Sequence, residues 1–234
     1  MRLTRIVPTE DIGCRAVVLT PNGKIIAKAE DWSINLYKKD LDIDGDGQPD
    51  LVLESYSGGA HCCWTYWLIA PSKHPALRKK IENERGIGFR DVKHDGNIIW
   101  LALDGSFDYF DDLCHACTVF PDVYLQLKGD KLVDVSSQYR FEYDHEINAA
   151  RSKLKKEHLE DFIAAKTPEQ MFEAGEDIKP LVLTVVLGYL YSGRERSAWK
   201  ALDQMWPQFD RDRIKKLILK TRAEGILRYV DRSK

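Results

Sequence analysis

The sequence predicts an α+β protein, with an N-terminal antiparallel β-domain over residues 1–145 and a C-terminal antiparallel helical domain over 146–234. Three observations predict it. Before residue 145, short β-branched and aromatic runs alternate with Gly, Asp and Pro turns; after it, apolar residues recur at helical spacing. The charge balance also changes sign there, from 17 Lys+Arg against 23 Asp+Glu to 18 against 14.

Residues 15–19, 25–29 and 33–38 read as strands, and Pro21-Asn22-Gly23 turns the first into the second. Residues 51–56 and 62–70 follow, the latter dense in Trp64, Tyr66 and Trp67. Strands over 98–103 and 119–128 come next, and Gly129-Asp130 turns the chain into 132–136. Strands so closely spaced, joined by such short turns, predict antiparallel sheet, as propeller-like blades or sandwich hairpins.

Beyond 145 the period changes. Residues 148–165 place Leu154, Leu159, Phe162 and Ile163 on one side of a helix. Thr167-Pro168-Glu169-Gln170 is a helix start: Thr caps, Pro takes the first helical position and Gln closes a capping box. A helix apolar nearly all round covers 179–192 and stops at Gly193, and another covers 194–206 and stops at Pro207. Asp210 caps a third over 211–230, with Ile214, Leu217, Ile218, Ile226 and Leu227 as its buried stripe. Leu187-Gly188 with Tyr191, then Ala198 and Pro207, resembles one tetratricopeptide unit. An array needs about three such units, so a plain helical hairpin is expected.

Apolar content of 44% and charged content of 31% fit a globular chain able to bury a real core. No apolar run reaches the roughly 20 residues of a membrane span; the longest, around 181–190, is broken by Thr184 and Gly188. The basic half alternates charge signs along helices and has no dense Lys/Arg run, so no nucleic-acid partner is expected.

Metal chemistry accounts for the acidic half. Asp42, Asp44, Asp46 and Asp50 stand at positions 1, 3, 5 and 9 of one loop, Gly47 at the sharp turn of position 6, and Gln48 offers a backbone carbonyl from position 7. A tight loop aims such alternating carboxylates at one centre, supplying the six to eight oxygens that Ca²⁺ prefers. Without a cation the same carboxylates repel one another. An EF-hand would need Glu at position 12 and flanking helices; here position 12 is Leu53, in a strand-like run.

The loop resembles those of FG-GAP and VCBS-type repeats, whose pattern is D-x-D-x-D-G-x-x-D followed by a short apolar strand. The resemblance covers residues 39–70. It implies an extracellular or periplasmic β-structure in which Ca²⁺ staples a hairpin. Ser57-Gly58-Gly59-Ala60-His61-Cys62-Cys63 also resembles a segment of uncharacterised bacterial secreted proteins that carry such a loop. The first twenty residues lack the zones of a signal peptide. A periplasmic or secreted protein would therefore have lost a leader ahead of residue 1; a cytoplasmic one is the alternative. A second, degraded loop keeps Asp91, Asp95 and Gly96 but has Lys93 at position 3, which predicts the remnant of a repeat without metal.

Two cysteine clusters admit three readings. His61-Cys62-Cys63 and Cys114-His115-Ala116-Cys117 are disulfides in an oxidising compartment, or ligands of a zinc site, or redox-active thiols. Cys14 is left over and reads as a buried thiol.

Asp104, Asp108, Asp111 and Asp112 flank Phe107, Tyr109 and Phe110 in an acidic-aromatic segment. Such a segment binds a ligand, or, as paired acids, hydrolyses a glycan. The sequence thus predicts a calcium-binding, non-enzymatic binding or structural protein facing a protein or glycan partner. A hydrolase working through the acidic-aromatic segment and a zinc or thiol-redox protein are the rivals.

Overall fold

The computed structural model describes residues 2–6, 13–59, 63–71 and 75–231. They form the α+β architecture that the sequence predicts, antiparallel sheets followed by a set of helices. The chain divides into two compact units. One, the β-unit, comprises Met1–Ala102, Leu125–Val133 and Tyr229–Lys234; the other, the helical unit, comprises Leu103–Tyr124 and Asp134–Arg228.

The β-unit opens with a three-stranded meander of β1 (Arg2–Ile6), β2 (Cys14–Leu19) and β3 (Ile25–Asp31). Gly23 turns β2 into β3 at φ +85°, a left-handed conformation that glycine adopts without strain. A second sheet runs in the order β4 (Ser33–Leu41), β5 (Asp50–Tyr56), β6 (Trp64–Ala70) and β7 (Ala76–Asn83). Alternation puts Ala16, Val18, Ala27 and Ala29 of the first sheet against Leu53, Trp67 and Ile69 of the second, in one buried layer.

A third sheet has the order β11-β10-β9-β8, from β8 (Ile87–Arg90), β9 (Ile99–Leu103), β10 (Asp122–Lys128) and β11 (Lys131–Asp134). The Ile87 N–H donates to the Tyr66 hydroxyl at 2.9 Å, and that hydroxyl donates to Glu54 at 2.7 Å. Phe89 packs on buried Trp100 with ring centroids 5.0 Å apart.

Three strands have no counterpart in the sequence reading: β1, β7 and β8. β7 is an edge strand with Arg78, Lys79 and Lys80 in its middle, charge that blunts an open edge and also erases the apolar alternation that would reveal it. β8 is only four residues long. The strand expected over 119–128 begins at Asp122, and residues 119–121 are irregular. Residues 229–231 belong to the β-unit: the Asp231 carboxylate takes the Lys79 ammonium at 2.6 Å and the Leu132 N–H at 2.7 Å.

The helical unit is built on α1 (Arg140–Lys153), α2 (Lys156–Ala164), α3 (Pro168–Gly175), α4 (Ile178–Tyr191), α5 (Glu195–Met205) and α6 (Arg211–Glu224). α4 is buried nearly all round, through Val182, Leu183, Val185, Val186, Leu187 and Leu190. α1 lies so close to it at Gly188 that a Cβ there would meet Ile147 Cγ1 at 2.9 Å. The single helix expected over 148–165 is two helices, because Leu154 turns extended, with ψ 104°. α1 in turn starts at Arg140, since Tyr143, Ile147 and Ala150 extend its buried stripe toward the N-terminus. Thr167 caps α3 as expected, accepting the Gln170 N–H at 3.3 Å while the Gln170 side chain accepts the Lys166 N–H at 2.9 Å. The helix expected over 211–230 ends at Glu224, where Gly225 passes against a buried carboxylate.

Candidate functional site

The loop between β4 and β5 folds around its own carboxylates. Asp42 accepts the N–H groups of Gly45, Asp46 and Gly47 at 2.9–3.0 Å, which pins the first ligand position. Asp44 accepts the Asp46 N–H at 3.1 Å, and Asp46 accepts that of Gln48 at 2.8 Å. Gly45 and Gly47 take φ +77° and +84°, so the loop turns left-handed at two glycines. Sequence spacing marks only the second of these as the sharp turn.

Asp50 closes the loop from the first position of β5 and is 1% exposed. Its Oδ2 accepts the N–H groups of Ile43 and Asp44 at 2.7 and 2.9 Å. Its Oδ1 is buried and has no hydrogen-bond partner. One carboxylate oxygen each from Asp42, Asp44 and Asp50 lie within 4.8 Å of one another, the spacing of ligands around a single cation. Burial, joined by the charges of Asp44 and Asp46, pushes the Asp50 carboxyl up to about 6 against the pull of its two backbone hydrogen bonds. Arg78 Nε lies 3.1 Å from Asp44 Oδ2 and offsets part of the negative charge. Of the five residues that the sequence assigns to the metal, the fold gathers Asp42, Asp44 and Asp50; Asp46 and Gln48 stand exposed on the same loop.

The loop between β8 and β9 repeats these bonds. Asp91 accepts the N–H groups of Asp95 and Gly96 at 3.0 and 2.9 Å, as Asp42 does those of Asp46 and Gly47. Asp95 accepts the Asn97 N–H at 3.0 Å, as Asp46 does that of Gln48. His94 and Gly96 copy the left-handed turns at φ +55° and +83°. Lys93 and Ile99 stand where the first loop has Asp44 and Asp50.

Cys114 and Cys117 form a disulfide across a short 3₁₀ turn, with Cα atoms 5.0 Å apart, and both are exposed. A thiol in a disulfide is not a zinc ligand, so the pair serves zinc only when reduced. His115 Nδ1 lies 2.7 Å from Asp108 Oδ1. Cys63 is also disulfide-bonded, and Cys14 is half-buried on β2. His61 and Cys62 lie outside the described residues.

The acidic-aromatic segment is distributed over three local roles. Asp104 is fully buried in the helical unit, accepting the Tyr191 hydroxyl at 2.6 Å and the Ser106 hydroxyl at 2.7 Å. Asp108 holds His115. Asp111 pairs with Lys179 and with Arg213, each at 2.6 Å. Burial raises the Asp111 carboxyl, but the bonds from Arg213 and Lys179 outweigh it and hold it below the usual range. Tyr109 and Asp112 are exposed. Tyr109, Asp111 and Asp112 all take left-handed φ, between +50° and +63°, strain that side-chain ties must maintain.

That strained run borders a cavity of about 1110 Å³ lined by residues of the helical unit alone. Leu113, Met171, Phe172 and Phe209 give it apolar walls. Phe172 is 76% exposed and Phe209 45%. The sequence places Asp111 and Asp112, at its edge, in a possible ligand surface, but not the α3 wall, although a signal was there. On α3, Phe172 falls three residues after Glu169 and four before Glu176, on the acidic face, where an apolar ring has no core to enter.

No family model, no curated protein and no solved structure matches the chain.

Proposed function

We propose that the chain is an extracytoplasmic, non-enzymatic binding protein of the FG-GAP/VCBS-like kind, stapled by Ca²⁺ at the β4–β5 loop. Asp42, Asp44, Asp46, Gln48 and Asp50 are the candidate ligands, and the helical unit carries the contact surface for a protein or glycan partner. The observation that carries the metal reading is the buried Asp50 Oδ1, which has no hydrogen-bond partner and belongs to a cluster of three carboxylates. A buried, unpaired anion is costly and calls for a cation. The repeated geometry of the β8–β9 loop supports the resemblance to a repeat family. Among the described residues, no helix is long and apolar enough to cross a membrane.

A weak site of extracellular type, with a dissociation constant around 10⁻⁴–10⁻³ M, adds about 1–2 kcal/mol at tenfold excess ligand. Thermal unfolding in millimolar Ca²⁺ is therefore expected about 2–6 °C above that in EGTA. Coincident curves would remove the metal from the proposal.

One observation favours a thiol–disulfide role as a second reading: the Cys114–Cys117 disulfide is exposed at both cysteines. A redox-active pair exchanges with a glutathione buffer, two thiols of the reductant being oxidised as Cys114 and Cys117 become thiols. A pair that stays oxidised in a strongly reducing glutathione buffer excludes that role.

A further inference from the structure

The cavity of the helical unit combines features that point to one class of ligand. Six carboxylates line it, from Asp111, Asp112, Glu169, Glu173, Glu176 and Asp210, against two cations, Lys179 and Arg213. Both cations are engaged: Lys179 with Asp111, and Arg213 with Asp111 and Asp210. The two buried carboxylates are thereby neutralised. Asp112, Glu169, Glu173 and Glu176 are exposed and have no ion-pair partner among the described residues. Glu169 and Glu173 stand four residues apart on α3, an arrangement of like charges that weakens an isolated helix. Between these acids stands the Phe172 ring, with Phe209 exposed and Met171 buried in the same wall.

We infer that this cavity binds a short basic peptide segment carrying at least two Lys or Arg side chains and one aliphatic or aromatic side chain. The inference rests on reading the chain as a binding protein and names the chemistry of its partner. Complementary charge draws the segment in and excludes acidic competitors. Phe172 and Phe209 supply the desolvated contact that surface charge pairs alone do not give. A peptide fits better than a small cation. The acids from Glu169 to Glu176 extend over roughly 10 Å of helix, which one point charge cannot satisfy and a chain with spaced basic groups can.

The test titrates the whole chain into a fluorescein-labelled, amidated peptide, Lys-Leu-Lys-Phe-Lys, followed by anisotropy in low salt. Controls are Glu-Leu-Glu-Phe-Glu and Lys-Gly-Lys-Gly-Lys. Saturable binding of the first is expected, with both controls at least about tenfold weaker and with affinity falling as salt rises. Phe172→Ala and Glu173→Lys, both at exposed positions, are each expected to weaken binding about fivefold or more while leaving thermal unfolding nearly unchanged. Absent saturation, equal binding of the acidic control, or unchanged affinity in both variants would overturn the inference. So would displacement of the peptide by chitohexaose, which makes the site a glycan site. Repeating the titration in EGTA separates the two readings. Binding without a Ca²⁺-dependent melting shift removes the calcium staple and keeps the peptide site; a shift without binding does the reverse.

Discussion

Asp104→Ala is expected to destabilise the helical unit by about 2–4 kcal/mol, a large part of the 5–15 kcal/mol that holds a typical domain together. The carboxylate is fully buried and accepts four bonds. Two come from the hydroxyls of Tyr191 and Ser106, and two longer ones, at 3.3 and 3.4 Å, from the N–H groups of Ser106 and Ile226. Truncation leaves the Tyr191 hydroxyl, itself nearly inaccessible, without its acceptor. Gly225 belongs to the same arrangement, since a Cβ there would meet the Asp104 oxygens at 2.3 and 2.4 Å. Gly225→Ala should therefore approach the effect of Asp104→Ala, while Asp104→Asn, which keeps one acceptor, should fall between that variant and the native chain. Urea unfolding followed by tryptophan fluorescence checks all three. A loss below about 1 kcal/mol for Asp104→Ala, the size of a surface substitution, would show that Asp104 does not organise this part of the unit.

The second large effect changes sign with the metal. In EGTA the native Asp50 is charged at neutral pH in a site where burial lifts its carboxyl to about 6. An unfolded Asp titrates near 3.9. The folded, metal-free chain thus binds more protons than the unfolded chain between those values, and its stability falls as pH rises from about 4 to about 6. The loss attributable to Asp50 is about 3 kcal/mol. Asp50→Asn carries no charge to lose. At pH 7 in EGTA the variant should melt above the native protein; in Ca²⁺ it should lack the calcium shift and melt no higher. Asp122, also lifted to about 6 by burial and by Glu142, adds a slope of the same sign to both proteins, so the quantity to read is their difference across pH. Equal calcium shifts in the two proteins would rule out Asp50 as a ligand.

The two carboxylates show how far the sequence could be read. The place of Asp50 beside Asp42 and Asp44 was legible because the loop is local: the acidic spacing and the glycines all fall within the nine residues 42–50. Asp104 was not, because its role depends on Tyr191 and Ile226, far along the chain, and nothing in Asp-Gly-Ser announces a buried carboxyl. Reading it with Asp108, Asp111 and Asp112 as one acidic surface grouped a buried carboxyl of the helical unit with Asp111 and Asp112, which line the cavity. The strands most visible in the sequence were central ones such as β5 and β6, while the charged edge strand β7 gave no periodic signal. The helices of the second half were legible from their apolar stripes, and the break at Leu154 was not, because an apolar residue at the right spacing reads as helix whether or not its backbone follows.

The chain passes between its two units four times, after residues 102, 124, 133 and 228. The β-unit is therefore not finished when its long N-terminal stretch has been synthesised. It still lacks residues 125–133 from the third sheet, and beyond them Asp231, which ties Lys79 to Leu132. On the ribosome the strands of all three sheets emerge by residue 134, but the tie from Asp231 has to wait until the whole helical unit has followed. Closing a contact across the whole helical unit costs loop entropy, so this tie forms late and secures a β-unit whose strands are already paired.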